Sequence, residues 1–244
     1  KFQKRTIEEV YTKPDLDRFR ESPWGTTNRQ QKEGLEFSIE QYKELHNYTK
    51  GFNLDFIVSC WDLTSVDLIE ENIEVDYHKV ASALAADREF LEKLNETKKP
   101  IILSTGMCHP EHIDAAINIL DNVEYVLACT STYPTVPEEV NLRHITTMKE
   151  KYPNLKIGFS NHYSGQDACI GSIALGAECV EFHITKYRTM YGSDQSASIE
   201  KFTDLVVGMR NMEKMLGDGT KRIYPSEVPI AKKLRQNNNT LGGK

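Results

Sequence analysis

Residues 156–183, KIGFSNHYSGQDACIGSIALGAECVEFH, decide the fold. A short run of consecutive apolar residues (156–160) is followed by an amphipathic stretch (166–175), by Gly176 as a helix C-cap, and by a second apolar run (178–183). Strands that are apolar on consecutive residues are typical of parallel sheets, in which both faces are buried. The stretch therefore predicts a strand–helix–strand unit with a polar residue at the end of each strand.

The same alternation extends along most of the chain. Strands are predicted at residues 54–59, 76–82, 101–105, 125–130, 156–160 and 178–183. Helices are predicted at residues 39–50, 64–71, 87–95, 110–120, 138–151, 166–175 and 197–216. Residues 4–37 carry Pro14 and a turn-prone SPWG run and fit neither element, so we expect a functional or mobile loop there.

Six strand–helix repeats indicate a parallel α/β fold, and residues 1–3 as the end of another strand make seven. A (β/α)8 TIM barrel needs eight strands and typically about 250 residues. We therefore predict a barrel over residues 1–230 whose first strand is missing from the given chain, followed by a polar tail at 231–244. We expect roughly 30 to 50 further residues before Lys1, enough for the first βα unit. A doubly wound sheet is the alternative, although no Gly-rich phosphate fingerprint opens a first helix.

Composition excludes several classes of protein. The 244 residues are 39% hydrophobic and 27% charged, which is too apolar for a disordered chain. The longest apolar runs fall far short of the roughly 20 residues that span a bilayer. The net charge of −6 argues against a general nucleic-acid binder, but it allows a small anionic substrate. The five cysteines form no CxxC pair, which predicts free thiols in a reducing compartment, the cytoplasm.

In such a barrel the active site lies at the carboxyl ends of the strands, and two histidines follow consecutive predicted strands there. Because neighbouring strands are about 4.8 Å apart, His162 and His183 can reach one divalent ion, such as manganese or zinc, that keeps open positions for water. Glu181 shares the strand parity of His183 and is a candidate to orient it or a bound water. Two unrelated histidines, each hydrogen-bonded at the rim, are the alternative. His109 and His112, at a helix start, are expected on the surface.

Lys79 lies inside an otherwise apolar predicted strand, where burial of an unpaired ammonium group is costly. We expect it to meet an anion or to form a Schiff base; a lysine that extends to solvent is the alternative. Lys1, at the end of a strand, adds a second positive charge to the same rim. Paired lysines with serine and threonine hydroxyls suit a phosphate or carboxylate. Asp194, in a turn after the last strand, either contacts a substrate hydroxyl or caps the final helix.

Short motifs that carry these residues occur in a recognisable order. They are KFQ at 1–3, SPWGTT at 22–27, LEF at 35–37, HKVAS at 78–82, ILSTGM at 102–107, STYP at 131–134, GFSNHYSG at 158–165, and EFHIT with YGSD across 181–194. The ordered set resembles the sialic acid synthase family, the phosphoenolpyruvate-dependent N-acetylneuraminate and nonulosonate synthases. The resemblance implies a barrel transferase of sialic acid biosynthesis that condenses phosphoenolpyruvate with an N-acyl-mannosamine-type sugar and releases phosphate. It also implies a bound manganese or magnesium ion and a homodimer.

The resemblance assigns roles to individual residues. His162 and His183 match the two metal-binding histidines, and Lys79 and Glu181 complete the predicted catalytic set. The matches on the phosphoenolpyruvate side are Lys1, Lys79, Ser82 and Ser160, with Ser59 a looser match. Those on the sugar side are Gln3, Tyr133 and Asp194, and Ser131 stands where the family usually has an Asn before the Tyr-Pro pair.

The chain departs from the family pattern mainly on the sugar side. Where the family commonly has Gly-Ser-Gly-Glu, residues 81–84 read Ala-Ser-Ala-Leu, so Leu84 replaces an acid expected to face the sugar. We also expect no C-terminal antifreeze-like domain. The alternative function is therefore a degenerate, non-catalytic paralogue that binds a phosphorylated ligand. A metal-dependent barrel hydrolase or isomerase ranks last because it leaves both lysines unexplained.

Overall fold

The computed structural model describes residues 1–192 and 195–235. Seven of the β-strands in this part form one sheet, and the other two form a separate antiparallel hairpin. The strands are β1 (Phe2–Lys4), β2 (Phe19–Ser22), β3 (Gly25–Thr27), β4 (Ile57–Cys60), β5 (Tyr77–Val80), β6 (Ile101–Ser104), β7 (Val123–Cys129), β8 (Lys156–Asn161) and β9 (Val180–Phe182).

A helix lies between each pair of neighbouring strands of the large sheet. The α-helices are α1 (Ile7–Val10), α2 (Lys13–Asp17), α3 (Asn28–Leu35), α4 (Ile39–Gly51), α5 (Leu63–Asn72), α6 (Arg88–Glu96), α7 (Pro110–Ile119), α8 (His144–Lys151), α9 (Asp167–Ala174), α10 (Phe202–Leu216) and α11 (Val228–Leu234). Single-turn 3-10 helices occupy Ser82–Leu84, Pro137–Glu139, Gln195–Ala197 and Pro225–Glu227.

The large sheet is parallel throughout, in the order β1-β4-β5-β6-β7-β8-β9. Each strand of this sheet pairs with the strand of the same sheet that follows it in the chain, so the domain is a continuous run of βα units. This confirms the predicted fold class: the structure contains seven strands of a (β/α)8 barrel. The division into a barrel at 1–230 and a tail at 231–244 stays a prediction, since residues 236–244 lie outside the described part.

The central strands of the sheet are largely buried on both faces, as their consecutive apolar residues predict, whereas the edge strands β1 and β9 are half-buried. All four residues of β6 are buried. Leu103 of this strand, Val126 of β7 and Ile157 of β8 belong to one apolar cluster with the inner faces of the helices and are fully inaccessible to solvent. The site forms at the carboxyl ends of these strands, beyond their apolar middle.

The sheet curls so that its two edge strands face each other. Lys1, directly before β1, forms an ion pair of 2.5 Å with Glu181 of β9. Among the described residues no strand lies between these two edges, and a cleft of about 280 Å³ lined by Phe2, Phe37 and Phe182 separates them.

The structure corrects the prediction for residues 4–37. This segment folds into three short helices and the β2–β3 hairpin. The Thr12 side chain caps α2, and Thr27 forms a reciprocal capping box with Gln30 at the start of α3. Capped elements of this length are too short to show a hydrophobic period, so the pattern alone did not reveal them.

Two other helix boundaries were wrong, and two predicted caps are correct. The predicted helix at 138–151 begins only at α8, after a 3-10 turn at Pro137–Glu139, and that at 197–216 begins at α10. Ser38 and Gln41 form the capping box of α4, and Gly176 takes a φ of +87° just after α9. Throughout residues 1–192 and 195–235, no helix has both the length and the apolar character needed to cross a membrane.

Candidate active site

One pocket at the carboxyl ends of the sheet gathers nearly all of the predicted site residues. Its volume is about 140 Å³. Of the twelve predicted site residues, eleven line it, namely Lys1, Gln3, Ser59, Lys79, Ser82, Ser131, Tyr133, Ser160, His162, Glu181 and His183. The twelfth, Asp194, lies outside the described residues. The parallel sheet produces this convergence because all its strands end on the same side; the roles of the residues stay predictions.

His162 and His183 lie side by side in this pocket. Each follows the last residue of its strand, β8 or β9, and the register pairs Asn161 with Phe182. The two imidazole centroids are 5.5 Å apart. The ring of Tyr133, another lining residue, has its centroid 4.3 Å from that of His162.

Hydrogen bonding fixes the orientation of the His162 ring. Its Nδ1 lies 2.9 Å from the carbonyl oxygen of Thr130. Because a carbonyl oxygen only accepts, Nδ1 must carry the proton, which leaves Nε2 as the nitrogen available to an ion. The Cys129 Sγ lies 3.7 Å from the same Nδ1. Burial, the largest single influence, raises the pKa of the Cys129 thiol, but the contact with His162 and the hydrogen bonds with Ser82 and Ser131 together outweigh it and lower the pKa overall.

The floor of the pocket is cationic. Lys79 is only 3% exposed, and its Nζ donates hydrogen bonds to Ser104 Oγ at 2.6 Å and to the carbonyl oxygen of Val80 at 2.9 Å. Burial lowers the pKa of Lys79, and the charge of Glu181 at 3.4 Å opposes that shift. The buried ammonium group of Lys79 is therefore surrounded by hydrogen-bond acceptors and a carboxylate. The alternative that Lys79 extends to solvent is wrong.

Glu181 is the centre of this floor. Its Oε1 contacts Lys1 Nζ at 2.5 Å, while its Oε2 accepts a hydrogen bond from Ser160 Oγ at 2.7 Å and lies 3.4 Å from Lys79 Nζ. Burial alone would raise the pKa of this carboxyl, but the charges of Lys1 and Lys79 outweigh it and hold the pKa well below its usual range. Glu181 is therefore ionised at neutral pH, and its observed partners are lysines and serines.

Hydroxyl groups form a second wall around Gly106. The Gly106 amide donates to Ser82 Oγ at 3.0 Å. A Cβ atom at this position would lie 2.1 Å from Ser131 Oγ and 2.9 Å from Ser82 Oγ, so only glycine lets the two hydroxyls approach. The Cys129 Sγ, 3.5 Å from Ser82 Oγ, links this wall to His162.

The remaining predicted residues are held by neighbours that the sequence did not reveal. Ser59 Oγ donates to the carbonyl oxygen of Lys79 at 2.9 Å. The Gln3 side-chain oxygen accepts from the guanidinium of Arg5 at 2.7 Å, and Arg5 itself lies over the ring of Trp61 at 4.3 Å. These contacts hold the Gln3 amide at the pocket wall.

Several lining residues were not predicted as site residues. Trp61, Ala83 and Met107 form an apolar side of the pocket. Leu84 lies in the neighbouring cleft and packs partly against the core, so Ala83 and not Leu84 faces the pocket. Trp61 stands two residues after Ser59, at a strand end, which was the available signal for it.

The side chains available as ligands indicate which kind of metal site the pocket could form. Across the described residues, no three His, Cys, Asp or Glu side chains come close enough together to hold an ion. Two imidazoles with the free Nε2 of His162 fit a catalytic ion that takes its other ligands from substrate and water, and they do not fit a closed structural site.

Comparisons with known proteins give matches over most of the chain. The NeuB family model matches residues 1–221. The chain is 35% identical over 241 residues to the N-acetylneuraminate-9-phosphate synthase of Mus musculus, covering 96% of this chain and 67% of that protein. It is 34% identical over 202 residues to the N,N'-diacetyllegionaminic acid synthase of Campylobacter jejuni, covering 79% of this chain and 60% of that protein.

A solved structure adds the fold-level match. The N-acetylneuraminic acid synthetase of Leptospira borgpetersenii, in complex with citrate, superposes with a TM-score of 0.78 at 27% identity, covering 97% of this chain and 81% of that one. Sequence and fold thus point to proteins that make nonulosonic acids. The chain belongs to the NeuB family of sialic acid and related nonulosonic acid synthases.

Proposed function

We propose that this protein condenses phosphoenolpyruvate with an N-acyl-mannosamine-type aldose to give a nonulosonic acid and phosphate. The observation that carries the proposal is the pocket itself, where Lys1 and Lys79 lie on a hydroxyl-lined floor beside the paired imidazoles of His162 and His183. Cations and hydroxyls suit the phosphate and carboxylate of the donor substrate. The relatives named above supply the sugar class, as synthases of N-acetylneuraminate 9-phosphate and of diacetyllegionaminic acid.

The reaction balances with water as the third reactant. The enol carbon of phosphoenolpyruvate forms a bond to the aldehyde carbon, and the aldehyde oxygen takes up a proton. Water then adds to the carbon that bears the phosphate, and the resulting tetrahedral intermediate expels phosphate. Positive charge develops on the phosphate-bearing carbon when the enol attacks, and negative charge develops on the leaving phosphate when the tetrahedral intermediate collapses. Fixed donors at the phosphate lower the barrier of this second step.

The residues of the chain act mainly by binding and orientation. Lys79, fixed by Ser104 and the Val80 carbonyl, holds the donor phosphate in place without reorganisation during the reaction. Tyr133 and the apolar wall of Trp61 and Met107 place the acceptor over the donor, and holding two reactants in register supplies much of the remaining rate.

A divalent ion, manganese or magnesium, held by His162 and His183 would supply Lewis-acid polarisation of the acceptor aldehyde. The support for this site is the fixed tautomer of His162, whose Nδ1 is engaged by Thr130. The homodimer that the family resemblance implies, and the cytoplasmic location that five cysteines without a disulfide pattern suggest, are part of the same proposal.

The deciding experiment measures phosphate released from phosphoenolpyruvate with manganese across a panel of N-acyl aminosugars, with and without EDTA. We expect release that depends on both the sugar and the metal, and a nonulosonic acid detected by mass spectrometry. Release that needs no sugar would overturn the proposal.

A second candidate, a non-catalytic relative that binds a phosphorylated ligand, is favoured by one observation. Ala83 faces the pocket, and Leu84 stands outside it, so no acid from this turn reaches the acceptor. That protein would bind phosphoenolpyruvate in a calorimeter and form no product with any sugar tested. One efficient turnover would exclude it.

A further inference from the structure

The pocket groups that would bind an anionic substrate already contact an anion of the protein itself, the carboxylate of Glu181. Lys1, Lys79 and Ser160 all contact the carboxylate of Glu181, at 2.5, 3.4 and 2.7 Å respectively. We call this set, with Glu181 at its centre, the anion cradle. The single hydroxyl proton of Ser160 is already donated to Glu181, and Lys79 Nζ already contacts Ser104, the Val80 carbonyl and Glu181. A substrate phosphate that binds these two groups therefore takes contacts that Glu181 now makes.

The net charge of the anion cradle indicates that Glu181 and a bound phosphate compete for the same cations. Two lysines against one carboxylate leave the cradle with a net charge of +1 (2 − 1). A phosphate monoester carries about −1.5 to −2 charges near neutral pH, and phosphoenolpyruvate adds a carboxylate. The cradle with Glu181 in place therefore does not neutralise this substrate by itself, and the remaining positive charge would have to come from the divalent ion proposed at His162 and His183.

The alternative that Glu181 serves His183, with which it shares strand parity, accounts for fewer contacts. Both carboxylate oxygens of Glu181 are engaged by lysine or serine groups. Lys79 also has partners besides Glu181, since its Nζ donates to Ser104 Oγ, which lies 3.5 Å from Glu181 Oε2, and to the Val80 carbonyl. Lys79 therefore keeps two hydrogen-bond partners when the carboxylate moves away.

We propose that Glu181 is the internal counterion of the anion cradle, which compensates Lys1 and Lys79 in the empty site and is displaced from them when the anionic substrate binds. It is a positioning residue in the reaction proposed above, on which this inference rests. It keeps two cations in place without substrate and weakens anion binding when no other positive charge is present.

The test uses sulfate, a non-reacting tetrahedral dianion, measured by calorimetry in EDTA near neutral pH. Glu181→Gln keeps the shape of the side chain and removes its charge, so sulfate should bind at least about 10-fold more tightly than to the wild type. Glu181→Asp, which restores the charge, should return the affinity towards the wild-type value. Glu178→Gln removes an exposed carboxylate paired with Lys149 and should leave sulfate binding unchanged.

A purely structural role for Glu181 predicts the opposite sign, since a damaged cradle binds more weakly. Equal or weaker sulfate binding by a folded Glu181→Gln protein overturns the inference. If that variant does not fold, a crystal structure of the wild type with sulfate decides. Sulfate on Lys79 with Glu181 moved off the lysines supports the inference, and sulfate elsewhere with the ion pairs intact refutes it.

These results separate the inference from the proposed function. Sulfate binding needs neither sugar nor turnover. Tighter binding by Glu181→Gln without any sugar-dependent phosphate release would reject the synthase activity and retain the counterion. Efficient sugar-dependent phosphate release by the wild type, with no gain in sulfate affinity in Glu181→Gln, would retain the synthase activity and reject the counterion.

Discussion

The imidazoles of His162 and His183 lie 5.5 Å apart at the ends of neighbouring parallel strands. Their spacing follows from the sheet, because adjacent strands are separated by about 4.8 Å and both side chains leave the sheet on the same side. The fold itself thus brings two nitrogen ligands together, and no long-range loop has to be ordered first.

We expect His162→Ala and His183→Ala each to reduce manganese affinity by about 10-fold or more, since removal even of a hydrogen-bond partner of a ligand typically costs 10- to 100-fold. Electron paramagnetic resonance of free manganese during titration measures this directly. His109→Ala is the matched control, because His109 is exposed at the start of α7, away from the pocket. Unchanged manganese affinity in both pocket variants would reject the metal site.

Lys79→Ala should weaken phosphoenolpyruvate binding by roughly 10- to 100-fold, because a hydrogen bond to a charged group contributes about 1.5–3 kcal/mol. Calorimetry with phosphoenolpyruvate and manganese gives the affinity. Lys149→Ala, which removes an exposed lysine, should bind like the wild type. Wild-type affinity in the Lys79 variant would show that the donor phosphate binds elsewhere.

Stability should depend on pH through Glu181. Its folded-state pKa is well below the usual 4.5, so the unfolded chain binds the proton more readily and the ionised carboxylate stabilises the fold at every pH above about 4.5. That contribution is lost as the pH falls below 4.5 through the lowered folded-state pKa. Urea unfolding of wild type and Glu181→Gln should therefore differ most near neutral pH and converge in acid. A constant difference across this range would contradict the assignment.

The size of the neutral-pH difference follows from burial. Breaking one partner of a buried ion pair typically costs about 3–5 kcal/mol, because the other charge is left uncompensated. Lys1 is more exposed than Lys79, with 24% of its side chain accessible against 4%, so Lys79 carries most of this cost. Glu178→Gln, on the surface, should change the unfolding free energy by less than about 1 kcal/mol.

Gly106→Ala should impair substrate binding more than folding. Its Cβ would come within 2.1 Å of Ser131 Oγ and 2.9 Å of Ser82 Oγ, and the small serine side chains can rotate away to relieve the clash. We expect the KM for phosphoenolpyruvate to rise by about 10-fold while the melting temperature falls only slightly. Steady-state kinetics and a thermal melt report the two effects separately. A large loss of stability with unchanged KM would assign Gly106 to the fold alone.

The parallel sheet could be predicted from local sequence, because its signal is local. The run at residues 101–105 is apolar and β-branched, and β6 forms at Ile101–Ser104. The same holds for β8, predicted at 156–160 and observed at Lys156–Asn161. Residues 4–37 could not be resolved in this way, since capping contacts such as Thr27 with Gln30 define their short helices.

The residues that line the pocket could be predicted because strand ends converge in this fold. The contacts between their side chains could not be predicted. The parity of Glu181 and His183 on one strand suggested that they act together. The observed partner Lys1 is 180 positions away in sequence, and the two meet only because the sheet curls. The contact of Cys129 with His162 likewise depends on rotamers that the sequence does not specify.

The carboxylate in the cradle also has a kinetic consequence. When product phosphate leaves a pocket of this kind, the departing anion normally leaves bare cations behind, which slows its escape. In the proposed exchange, Glu181 re-forms its contacts with Lys1, Lys79 and Ser160 as the phosphate departs. The residence time of the product phosphate would then be set by how fast Glu181 replaces it at the two lysines. It would not be set by the cost of leaving the lysines without a counterion.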